Sequence, residues 1–192
     1  MQRTMLSWML VGLVVLTGTV AAHAAQDQDI DELIEALGDE DEGVRQAAAW
    51  ALTEIGPVNR DTIPALTTVL LNGNRHVREL AAQALGMIGP EAQTAVSALG
   101  RALHDEDEDV REAAAWALAE IGLATVPVLV RALWDIDRAV RRLAAQALGM
   151  IGLEAGVAIP TLNKALQDED QGVRRWAAWA LKKIQGSKET RL

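Results

Sequence analysis

The chain has 192 residues, half of them apolar, a formal net charge of −9, and no cysteine, phenylalanine or tyrosine. Without cysteine there is no disulfide, thiolate metal site, thiol nucleophile or lipobox-type anchor. Leu, Ile, Val and Ala must fill the core, and the acidic balance speaks against nucleic acid or an anionic membrane held by charge.

Residues 1–24 read as a secretory signal peptide. Arg3 gives a positive start, residues 5–22 are uncharged and largely apolar, and Ala22-His23-Ala24 is a small-x-small cleavage site. The alternative is an uncleaved membrane anchor, since 18 uncharged residues is about the minimum to span. Gly12, Thr17, Gly18 and Thr19 dilute that run and favour cleavage near Ala24. Either way the remainder is exported, periplasmic or extracellular, and a membrane is a partner only if the leader is kept. Removing it leaves 17 cations against 27 acids, a charge of −10.

After a short linker (25–29), one pattern is written five times: VRQAAAWALTEI from Val44, VRELAAQALGMI from Val77, VREAAAWALAEI from Val110, VRRLAAQALGMI from Val140 and VRRWAAWALKKI from Val173. The steps are 33, 33, 30 and 33 residues, a period that predicts a stack of helical hairpins. The repeats span about 30–56, 63–89, 96–122, 126–152 and 159–186, with a tail over 187–192.

In each first helix a β-branched residue (Ile30, Ile63, Val96, Val126, Ile159) is followed three later by Leu33, Leu66, Leu99, Leu129 or Leu162. Four further on comes Leu37, Leu70, Leu103, Leu133 or Leu166, which completes one helical face. Pro64, Pro127 and Pro160 are expected at the first helical position. A polar turn follows, holding Asp39 and Asp41, Asn72 and Asn74, Asp105 and Asp107, Asp135 and Asp137, or Asp168 and Asp170. The second of each pair, three before the Val, is an N-cap for the second helix. That helix buries Val44, Ala47, Ala48, Ala51, Leu52, Ile55 and their counterparts. Gly56, Gly89, Gly122 and Gly152 suit a left-handed C-cap, and in the last copy Gly186 comes one residue late.

The pattern L-x-D-x-D-x-x-V-R-x-x-A-A-x-A-L-x-x-I-G resembles the short bacterial-type HEAT repeat, also found in phycobilin lyase subunits, over about Ile30–Gly186. The resemblance implies an all-α fold, an α-solenoid (α-α superhelix) of five HEAT-like hairpins. It also implies an inter-repeat ladder of Arg45, Arg78, Arg111, Arg141 and Arg174 with the turn residues Asp41, Asn74, Asp107, Asp137 and Asp170. A row of five ligand-binding arginines is the competing reading; the acids recurring at the same period favour the ladder.

Chemistry beyond the stack finds little material. Asp105-x-Asp107-x-Asp109 suggests calcium, but an EF-hand needs Gly at its sixth position and Glu at its twelfth, where Val110 and Trp116 stand. After cleavage His76 and His104 are the histidines and Ser97 and Ser187 the serines, so a Ser-His-Asp triad lacks parts. The iron-binding His-Glu pairs of HEAT-type hydroxylases are missing. No catalytic residue, metal site or cofactor is expected.

Helical phase points to a partner surface. With the Val at 0°, core residues lie between about 300° and 80°, and the position six later lies near 240°. It holds Trp50, Gln83, Trp116, Gln146 and Trp179. Two after the Val stand Gln46, Glu79, Glu112, Arg142 and Arg175, acidic towards the N-terminal end and basic towards the C-terminal end. The HEAT resemblance puts second helices on the concave side, so these residues would line a groove with hot-spot chemistry. The competing reading is that each Trp lies over the alanines of an adjacent helix. Trp176, where Leu80 and Leu143 stand in other copies, belongs to the core or end-cap, and Trp134 to a turn edge. The Trp/Gln alternation suggests duplication of a two-repeat unit, which would make the Trp spacing inherited.

The sequence therefore predicts an exported, monomeric, non-catalytic scaffold that binds a protein or peptide through the concave face. The alternatives are a lyase-like or other enzyme-associated subunit, an architectural envelope module working through its convex face or ends, and, more weakly, a sugar binder stacking on the Trp row.

Overall fold

The computed structural model describes residues 28–56 and 61–186. The expected signal peptide and cleavage site, and the tail expected over 187–192, lie outside the described residues. Those described form α1 (Gln28–Ala36), α2 (Glu42–Ile55), α3 (Thr62–Asn72), α4 (Arg75–Ile88), α5 (Val96–Ala102), α6 (Glu108–Ile121), α7 (Val126–Ala132), α8 (Arg138–Ile151), α9 (Ile159–Ala165) and α10 (Gln171–Gln185). Odd-numbered helices are the short first helices and even-numbered ones the second helices, so the five expected hairpins are present. The chain is an all-α solenoid. α1 begins at Gln28, inside the stretch read as linker.

Each second helix begins where an Asx side chain takes up orphan N–H groups of its first turn. Asp41 accepts from the N–H of Gly43 and Val44, Asn74 from Val77, Asp107 from Asp109, Asp137 from Ala139 and Asp170 from Val173. The prolines fall slightly deeper than expected, Pro127 and Pro160 at the second residue of α7 and α9 and Pro64 at the third of α3. All three remain within the turn whose N–H groups have no intrahelical acceptor.

The glycine that ends each second helix departs from the expected cap. Gly89, Gly122 and Gly152 have φ of 75°, 82° and 72°, but ψ near −136° to −139°. This is not the left-handed helical region; it is one open essentially to glycine alone. Gly56 has φ −51° and continues the helix. A Cβ there would run into Ile88 at Cδ1 and Cγ1, so that glycine is explained by packing.

The helices stack in two layers. Second helices pack on second helices, first on first, and each hairpin closes on itself. The seam of the inner layer is alanine: Ala48, Ala81, Ala114, Ala144 and Ala177 are fully buried. The position after each, not expected in the core, is also buried in the first four copies (Ala49, Ala82, Ala115, Ala145). There the next repeat covers it, whereas Ala178 lies in the last helix among the described residues and is exposed. Conversely Ala47 and Ile55, expected in the core, are only half-buried.

The junctions are not alike. Contacts between α4 and α6, and between α8 and α10, are the most extensive of any helix pair; α2–α4 and α6–α8 are looser. At the tight junctions a Cβ on Gly86 would lie 2.9 Å from the Ala117 Cα, and one on Gly149 would lie 3.0 Å from the Ala180 Cα. Backbone meets backbone there, which only glycine allows. The equivalent residues at the looser junctions are Thr53 and Ala119.

Candidate functional site: a groove on the second helices

Two faces carry polar chemistry, and the edge formed by the turns is the first. In all five repeats the arginine after the Val turns one N–H group onto carbonyl oxygens of its own turn: Arg45 to Asp39 and Glu40, Arg78 to Gly73, Arg111 to Asp105 and Glu106, Arg141 to Asp135 and Ile136, Arg174 to Asp168 and Glu169. Two of them also bridge repeats. Arg78 donates to both oxygens of Asp105 at 2.8 and 2.7 Å, and Arg141 to both oxygens of Asp168 at 2.8 and 2.9 Å.

The ladder therefore differs from the expected one in two respects. Its acid is the first of the turn pair; the second caps its helix in every copy, and Asp107 and Asp170 meet instead the first residue of the preceding second helix, Arg75 at 3.4 Å and Arg138 at 3.9 Å. Its rungs occur at two junctions out of four. Arg45 faces a turn that opens with Asn72, which offers no carboxylate. Asp135 takes His104 at 2.8 Å in place of Arg111. Burial pushes the Asp105 carboxyl up, but the Arg78 hydrogen bonds, the Asp107 N–H and the Arg78 and Arg111 charges hold it below the ordinary carboxylate value. Asp168 is lowered against the same burial by Arg141, the Asp170 N–H and Arg174. These acids serve the stack.

The second face belongs to the second helices. A groove of about 510 Å³ runs over α4, α6 and α8, and among its lining residues are Glu79, Gln83, Glu112, Trp116 and Gln146, five of the nine positions expected at a partner surface. A smaller hollow of about 280 Å³ between α2 and α4 is lined by Trp50, Glu79, Gln83 and their neighbours. The three tryptophans are unequal. Trp50 is 57% exposed. Trp116 is half-buried against Gly86, where a Cβ would come within 2.8 Å of its Cε3; Trp179 stands in the same relation to Gly149. The ring that closes each tight junction is thus also part of the second-helix face.

Trp179 further meets Trp176 edge-on at 5.2 Å between centroids and carries Lys183 Nζ 5.6 Å above its ring. Arg142 lies 3.8 Å from Glu108, and Arg175 is exposed. Trp179, Arg142 and Arg175 are not among the groove's lining residues. Trp134 is an exposed turn residue with Lys164 over its ring.

Sequence reasoning passed over Met87 and Met150, which line the groove and are 47% and 41% exposed, and Asp109. The signal was present: ten residues after the Val, repeats two and four carry Met where the others carry Glu54, Glu120 and Lys183.

Comparison with known proteins agrees with this architecture. The profile for HEAT repeats matches residues 30–119, 63–149 and 127–191. No curated protein matches. Among solved structures, the complex of CpcE and CpcF of phycocyanin lyase from Nostoc superposes with a TM-score of 0.60 at 21% identity, over 80% of this chain and 98% of that one. An engineered protein gives 0.49 at 26% identity, over 92% and 96%. A designed armadillo repeat protein in complex with the peptide (KR)4 gives 0.48 at 24%, over 81% of each. Five in-register copies, their capped second helices and the profile match across nearly all the described residues place the chain in the HEAT-repeat family.

Proposed function

We propose that the chain is an exported, monomeric, non-catalytic scaffold whose concave second-helix face binds a protein or peptide. One observation carries this reading. The groove over α4, α6 and α8 gathers the exposed Met87 and Met150, the Trp116 ring and the side-chain amides of Gln83 and Gln146 in one lining. Flexible, polarisable methionines that solvent can reach are characteristic of surfaces that adapt to peptides, and an aromatic with polar neighbours is hot-spot chemistry. Export rests on the leader's composition alone.

Two measurements test the reading. N-terminal sequencing of protein recovered outside the cytoplasm is expected to begin near Ala25; an intact Met1 in the membrane pellet would replace export as a soluble protein with anchoring. Affinity capture from the host's envelope fraction is expected to retain a partner that is lost with Met87→Ala/Met150→Ala while folding is unchanged. A partner retained equally by that variant sends the contact to the convex face or the ends. An enzyme-associated role has only the shared fold behind it, and a copurifying chromophore with visible absorption would bring it forward.

A further inference from the structure

The groove's charge is as one-sided as its shape. Its lining includes three carboxylates, Glu79 on α4 and Asp109 and Glu112 on α6, and no lysine, arginine or histidine. Among the described residues none of the three is in an ion pair. Glu79 accepts only the Gln83 amide at 3.0 Å. The nearby cations are engaged elsewhere: Arg75 with Asp107, Arg78 with Asp105 and Glu106, Arg111 with its turn carbonyls, Arg142 with Glu108. The ladder draws positive charge to the turn edge and leaves the carboxylates of this groove uncompensated. Three like charges beside a low-dielectric floor of Met87, Ala113, Leu143 and Met150 focus a negative field into the trough.

Resting on the concave-face reading above, we infer that the occupant is an extended peptide segment in which lysine or arginine alternates with aliphatic residues. The carboxylates call for cations, the methionines for apolar side chains, and Trp116 offers a ring face to either. In an extended strand, side chains on one side recur every ~7 Å, close to the ~8–10 Å between packed helices. Roughly two peptide residues thus pass each helix, and Glu79 and Glu112, equivalent positions one repeat apart, meet successive cations. Gln83 and Gln146 stand two repeats apart, with Trp116 at the equivalent position between them, and each side-chain amide carries both a donor and an acceptor for a main chain. A polyanion or an acidic peptide would meet only repulsion.

The test uses the full-length chain and fluorescein-labelled octapeptides of alternating Lys-Leu, Gln-Leu and Glu-Leu, read by anisotropy at low and at 0.5 M salt. Lys-Leu is expected to bind at least tenfold tighter than Gln-Leu at low salt, with Glu-Leu weakest, and salt should erase the difference. Glu79→Gln/Glu112→Gln should abolish the preference. Glu91→Gln/Glu154→Gln, which removes the same net charge outside this groove, should leave it. No binding of Lys-Leu, equal binding of Lys-Leu and Gln-Leu, or equal loss in both Glu pairs overturns the inference. Met87→Ala/Met150→Ala separates the two levels. If it weakens every peptide while charge is without effect, only the cationic occupant falls. If neither the Met pair nor the groove Glu pair alters any peptide, the concave-face reading falls with it.

Discussion

Arg78 and Arg141 show how one side chain couples two repeats. One end of the guanidinium ties down the carbonyls of its own turn, and the other grips the first acid of the next turn with both nitrogens. The Arg78 and Asp105 side chains are only 14% and 12% exposed, so losing the charge leaves a shielded guanidinium poorly matched. Asp105→Asn is expected to cost about 1.5–3 kcal/mol at neutral pH, read from urea unfolding. Its acid dependence follows from the lowered carboxyl. As pH drops past the ordinary aspartate value of 3.8, the unfolded chain takes up the proton before the folded one does. The rung's stability is therefore complete above that value and lost as pH falls through the lower folded value. The gap between wild type and Asp105→Asn should thus close on acidification; a gap that does not narrow with falling pH would assign the cost to something other than the ion pair. The Arg/Asp periodicity was legible in the sequence, but which acid of each pair bridges was not. Both acids of a turn accept a backbone N–H, so the choice lies in which of them the guanidinium of the preceding repeat reaches, a fact of three-dimensional geometry.

At the scale of the element, the second helices are held at two distances, and the difference is written in glycine and tryptophan. Where the previous helix has Gly86 or Gly149, the next lies backbone to backbone against it, and Trp116 or Trp179 covers the gap. Gly86→Ala would ordinarily gain about 1 kcal/mol of helix propensity. Here overpacking should reverse the sign, for a net loss of about 1–3 kcal/mol, while Gly156→Ala, where a Cβ meets nothing within 4 Å, should be nearly neutral. Equal effects at both sites would show that the close approach yields freely. Leu118→Ala, fully buried in α6, should cost roughly 2–5 kcal/mol by lost burial and a cavity. Trp116→Ala should cost less than that, yet measurably, and its effect should be non-additive with Gly86→Ala. Phase analysis placed Trp50 and Trp116 on one face correctly, because phase is a property of a single helix. It could not separate an exposed Trp50 from a half-buried Trp116, because that depends on what the preceding second helix carries nine residues after its Val, and α2 is the first second helix among the described residues.

At the scale of the whole molecule, the tight and loose junctions divide a uniform-looking repeat into unequal parts. Repeats two and three share Gly86–Trp116 and the Arg78–Asp105 rung; repeats four and five share Gly149–Trp179 and Arg141–Asp168. Between them the α6–α8 junction has neither device. Its connection is the four-residue Gly122–Thr125, where the tight junctions use the seven-residue Gly89–Ala95 and Gly152–Ala158, and its rung is the half-exposed His104 on Asp135. The two-repeat unit suggested by the sequence alternation thus has a mechanical counterpart. In a solenoid each repeat touches only its neighbours, so stability is a sum of repeat and interface terms, and a weak interface permits partial opening. Leu148→Ala, in α8, should then destabilise repeats four and five without reaching two and three. Hydrogen exchange read by peptide is expected to accelerate by roughly 30-fold or more across residues 126–185, the rate equivalent of 2 kcal/mol or more, with little change over 62–121. Leu85→Ala should give the mirror image. If either variant accelerates both halves equally, the α6–α8 junction is as strong as the others and the stack opens as one body. The groove straddles that junction, with Trp116 on one side and Gln146 and Met150 on the other. An occupant would therefore bridge the two halves, and the same exchange experiment with a bound Lys-Leu peptide should slow both together.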